Sequence, residues 1–113
     1  MLPIILITSA LMAAGAALDG KSTVDFLTKG KGAFVEANPF MVFLYGTASP
    51  SSKRVWVTGA LVIAAEIGIA LLCARFGRVA VWGFGIQQVV QAGVHLYEYF
   101  RNEKDLAAYL KTV

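Results

Sequence analysis

Gln87, Gln91, His95 and Glu98 recur at intervals of four, four and three residues near the C-terminal end of the chain. A helix turning about 100° per residue places them on one face no wider than about 80°. Glu66 interrupts an apolar stretch upstream, and Asp19, Ser22 and Thr23 close another. An imidazole and two carboxylates held at one depth have the chemistry to bind a divalent metal or to pass protons. The simpler use of the same groups is to hydrogen-bond one another and hold helices in register. His95 is the only histidine, so the set has weak metal specificity and assigns no cofactor.

The elements that carry these residues are membrane helices by composition. The chain has 113 residues, of which 58% are hydrophobic and 15% charged, with a mean hydropathy of +0.66. A soluble domain carries about a quarter charged residues, because a small particle has much surface to keep wet. These values argue against a water-soluble monomer and exclude a disordered coil. Cys73 is the only cysteine, which excludes a disulfide scaffold.

Three stretches are expected to span a bilayer, at about residues 2–28, 55–74 and 79–100. The second has Lys53 and Arg54 before it and Arg75 and Arg78 after it. It is the length needed to cross a hydrocarbon core about 30 Å thick. Glu66 costs that segment roughly 2.5–3.5 kcal/mol, which its many Leu, Ile and Val residues outweigh at roughly 0.3–0.6 each. The short connection from Arg75 to Arg78 predicts an antiparallel hairpin. The third stretch ends in Tyr97, Tyr99 and Phe100, an aromatic belt. The run Ala13, Ala14, Gly15, Ala16, Ala17 has the small residues of a signal-peptide cleavage region, but no basic residue precedes it, so the first segment is expected to be retained.

With three crossings, Lys21, Lys29, Lys31, Lys53, Arg54, Arg101, Lys104 and Lys111 share one side, and Arg75 and Arg78 the other. This bias places the long loop and the C-terminus in the cytoplasm of a prokaryotic inner membrane, with the N-terminus outside. The net charge of +3 therefore reads as topology, and no nucleic-acid partner is expected. If the first helix continues to about Lys29, Asp19, Glu66, Gln91 and His95 all lie roughly 8–17 Å below the cytoplasmic surface.

The first loop holds an apolar segment too short to span. Asn38 followed by Pro39 is a capped helix start, and Gly46 with the Ser- and Pro-rich run after it is a stop. A short interfacial or re-entrant helix is expected at about 39–46. The tail from Asn102 to Val113 spaces Leu106, Tyr109 and Leu110 as an amphipathic helix. The expected fold is thus all-α: a three-helix membrane bundle with a short helix between the first two spans and an amphipathic tail.

Asp19, Ser22, Thr23, Gly32, Glu36, Asn38 and Pro39 together resemble the pattern Asp-x-x-(Ser/Thr)-Thr, then Gly, then Glu-x-Asn-Pro. That pattern marks a widespread family of small uncharacterised bacterial and archaeal membrane proteins. The resemblance implies a compact helical membrane domain in which Asp19, Thr23, Glu36 and Asn38 matter, and it brings no reaction with it. The residues themselves favour a noncatalytic accessory or assembly subunit of a larger membrane complex. Its partners are the lipid bilayer and other membrane subunits or further copies of itself. A pore or ion-conducting homo-oligomer, resembling holins in length and charged tail, is the alternative. A membrane enzyme or ligand carrier using Asp19, Glu66 and His95 is the third.

Overall fold

The computed structural model describes every residue except 31–33, 35 and 37, so Lys31 of the basic flank and Gly32 of the motif lie outside the described residues. The described chain is all-α. Helix α1 is Leu2–Lys29, α2 is Pro39–Tyr45, α3 is Ser52–Cys73 and α4 is Arg78–Leu110. A single 3-10 turn, Ala74–Phe76, joins α3 to α4.

Local chemistry sets these boundaries. At the start of α2, the Asn38 side chain accepts a hydrogen bond from the Phe40 N–H at 3.0 Å, satisfying a donor that has no partner within the helix. Gly46 ends α2 in the left-handed conformation, φ 76°, with its N–H on the Val42 carbonyl. Ser51 caps α3 by accepting from the Arg54 N–H at 3.2 Å. Gly77, at φ 97°, turns the chain into α4 through a conformation that a side chain would strain.

Helix α4 does not end at the aromatic belt. It runs on through Arg101 to Leu110, so the expected separate tail is the last part of a 33-residue helix. No Gly or Pro follows Gly93, and Asn102 and Leu106 are buried against the rest of the chain. Packing of these two residues extends the helix where surface chemistry alone predicts a change of direction.

Helix α1 packs mainly on α4 and less on α3. Gly15 lies on Ala92, Asp19 meets His95 and Ser22 meets Asn102. The numbers rise together, so α1 and α4 run parallel. Ile5 clusters with Ala70 near one end, and Gly20 lies on the Trp56 ring near the other. Helix α3 is therefore antiparallel to both. The hairpin end closes over a small core of Ile5, Ala70 and Val81. At the opposite end Phe34 stacks on Phe26 with ring centroids 3.8 Å apart, and meets the edge of Tyr109 at 5.3 Å.

Two helical segments, Leu2–Lys29 and Ser52–Phe76, are long and apolar enough to cross a membrane. Helix α4, which contains the third expected crossing, does not reach that apolarity. Gln87, Gln88, Gln91, His95 and Glu98 all fall within it.

Two outcomes follow from this packing. A Cβ on Gly15 would sit 3.1 Å from the Ala92 carbonyl oxygen, a backbone atom that has little room to move. Gly15→Leu should therefore separate α1 from α4 and cost about 1–3 kcal/mol of stability in detergent. Gly83→Leu, where a Cβ meets nothing within 4 Å, serves as the neutral control. Asn38→Ala should cost about 1 kcal/mol and speed amide exchange across 39–46 while leaving α1, α3 and α4 protected. Unchanged exchange there would show that the cap does not hold α2.

Candidate functional site

Helix α1 packs most on α4 and less on α3, while α3 and α4 touch each other least. A cavity of about 400 Å³ lies between α1, α3 and α4, with residues of α2 also lining it. Asp19 and Thr23 reach it from α1, Glu66 from α3, and Gln91, His95 and Glu98 from α4. Glu36 and Asn38 reach it from the segment that precedes α2. Four residues of the two sequence motifs, Asp19, Thr23, Glu36 and Asn38, thus line one cavity although up to nineteen positions separate them.

Asp19 Oδ2 and His95 Nδ1 are 2.7 Å apart, each side chain about three-quarters buried. A carboxylate only accepts, so Nδ1–H is the donor. Gln91 and His95 are the polar neighbours of Glu66 across the cavity. The Glu66 Oε2 atom is buried, and no described residue donates to it. Glu98 pairs with Arg101 at 3.3 Å. Among the described residues no three His, Cys, Asp or Glu side chains form a metal-holding group.

The remaining candidates lie elsewhere. Ser22 is buried between α1 and α4, where its hydroxyl donates to the Asp19 carbonyl at 2.8 Å and accepts from Asn102 Nδ2 at 3.2 Å. Pro39 is exposed and opens α2. Glu36 accepts from the Asn38 N–H at 3.0 Å, and its own N–H donates to the Ala48 carbonyl at 2.7 Å. Gln87 is exposed and donates only as far as Gln91, at 3.3 Å, so the inward face of α4 is not centred on it.

The inward glutamine is its neighbour. Gln88 is 0% exposed. Its Oε1 accepts from the Thr8 hydroxyl at 2.8 Å, and its Nε2 donates to Ser9 Oγ at 3.2 Å. A seven-residue repeat is the signal that finds it: Val81, Gln88, His95 and Asn102 form one row, interleaved with Gly85, Ala92 and Leu106. This repeat describes a seam against a parallel partner helix.

Tyr45, at the end of α2, is 5% exposed and lines the same cavity. Burial pushes its phenol up to about 12, and the charges of Glu36 and Asp19 push the same way. A phenol raised in the folded chain contributes its stability fully below pH 10, the ordinary tyrosine value, and loses it as pH rises through about 12. Phenolate absorbance of the folded protein should therefore show a late step near pH 12 that Tyr45→Phe removes. Loss of amplitude near pH 10 in Tyr45→Phe, with no late step in either protein, would place Tyr45 in solvent.

No protein-family model, curated protein or solved structure matches the chain. Its functional reading therefore rests on the cavity, the seam and the exposed surface.

Proposed function

We propose that the chain is a noncatalytic integral membrane protein that serves as a small accessory or assembly subunit of a larger membrane complex. One observation carries the membrane part of this reading. The most apolar window of the α3 segment has a mean hydropathy of 2.2, yet only 6% of it is buried inside the chain. A core helix of a soluble protein shows the reverse, and exposing this much apolar surface to water is unfavourable. Lipid or partner helices are its natural surroundings.

In this reading α4 is a third crossing despite its polar residues. Gln88, Asn102 and His95 are turned toward α1 and hydrogen-bonded there, so their cost in lipid is met inside the chain. The outward side of α4 carries Trp82, Ile86, Val90 and Phe100, all exposed and apolar. Gln87 is the exception on that surface, and a neighbouring helix that covers it supports association. A further copy of the chain would serve as well as another subunit, so a homo-oligomeric pore is the second reading.

The basic residues orient the domain with the loop and C-terminus in the cytoplasm. In a chain with Cys73→Ser, cysteines at Ser51 and Thr112 should label only from the cytoplasmic side. Labelling of both from outside would invert the topology, and opposite labelling would remove α4 as a crossing. Native mass measurement of the protein extracted from its own membrane distinguishes the two assemblies. A defined heteromer supports the subunit, and a uniform large homo-oligomer the pore.

A further inference from the structure

We infer that the cavity between α1, α3 and α4 binds a protonated amine carried on an apolar body, with Glu66 as the group that receives its N–H. The volume, about 400 Å³, lies in the range of roughly 300–1,000 Å³ typical of small-molecule sites. Phe26, Phe40, Met41, Trp56, Ile63 and Val94 supply walls for an apolar body, and the aromatic rings among them favour an adjacent cation.

Charge decides between cation and anion. Four carboxylates, Asp19, Glu36, Glu66 and Glu98, line the cavity against one guanidinium, Arg101, and one imidazole, His95. Asp19 is taken by His95, and Glu98 by Arg101. Glu66 keeps an acceptor oxygen that is shut off from solvent and met by no donor among the described residues. An unmet buried acceptor is unfavourable, and a ligand N–H is the group that completes it. A quaternary ammonium has no N–H to give, and an anion would face the carboxylate excess. The shared chemistry is an alkylammonium, whether the headgroup of an aminophospholipid or a free lipophilic amine. This inference rests on the cavity and not on the assembly proposed above, since a chain that binds amines as a monomer satisfies it.

The test uses the full chain in nonionic detergent with Trp82→Phe, so that Trp56, which lines the cavity, is the only tryptophan reporting. Decylammonium, decyltrimethylammonium and decanoate share one chain length and separate N–H donation from charge and from partitioning into the micelle. Decylammonium should shift Trp56 fluorescence saturably, with a Kd at least tenfold below that of decyltrimethylammonium, and decanoate should give no saturable change. Glu66→Gln should raise the decylammonium Kd at least tenfold at unchanged helix content. Ala60→Phe, which adds bulk at a lining position that is not a carboxylate, should abolish saturation and serves if Glu66→Gln fails to fold. Equal responses to the three probes, or wild-type affinity in Glu66→Gln or Ala60→Phe, would overturn the proposal. With decylammonium bound, native mass spectra identify the natural source. An aminophospholipid adduct displaced by the probe assigns a lipid headgroup, and binding with no such adduct assigns a free amine.

Discussion

Gln88 has no contact with solvent, and the partners of its amide are on α1, at Thr8 and Ser9. Seven residues on, His95 meets Asp19, and seven further on Asn102 meets Ser22. These polar contacts, spaced along two parallel helices, fix both the rotation and the axial register of α4 on α1. Sliding or turning either helix would strand several buried polar groups at once. Close approach is equally necessary. Gly15 and Gly85 bring the backbones near enough for short side chains such as Ser9 and Ser22 to reach across.

Because the polar seam consumes the inward face of α4, little of that helix is left for α3. Helix α3 therefore leans on α1, through Ile5 at the hairpin end and Gly20 at the loop end. The turn through Gly77 ties α3 to α4 at one end, and the two helices touch each other less than either touches α1. The cavity is thus a product of unequal pairing strengths. Its polar lining has the same origin: Asp19 and His95 belong to the seam and also border the gap, while Glu66 faces them from the wall that the seam does not hold.

Much of the helical pattern is legible in the residues. Asn38-Pro39 and Gly46 bracket α2, and Arg75 to Arg78 mark the turn before α4, because capping and turn chemistry act over a few positions. Glutamine at both 87 and 88 defeats a reading by polarity alone, since either can begin a stripe at helical spacing. Small residues resolve the choice: Gly85 and Ala92 alternate with the row of Gln88 on one face, and close packing needs them there. The continuation of α4 beyond Phe100 depends on contacts of Asn102 and Leu106 with distant parts of the chain. The cavity is the least legible feature, because it follows from the unequal pairing of α3 and α4 with α1 and from no single motif.

Helix α2 joins these levels. At 7 residues it is too short to persist by itself, so its position depends on its ends. Asn38 holds the first turn, and Arg54 of α3 donates to the Tyr45 carbonyl at 2.7 Å where the last turn leaves carbonyls without partners. Tyr45 points inward over the gap, while Phe43 is exposed on the outer side. In the proposed membrane setting the Phe43 ring lies at the lipid interface, giving α2 an anchor outside the protein as well as within it. The cover over the cavity is then fixed to α3 by a hydrogen bond and to the bilayer by aromatic burial. A change in the separation of α3 from α4 would accordingly move α2 with it, coupling the width of the cavity to the position of its cover.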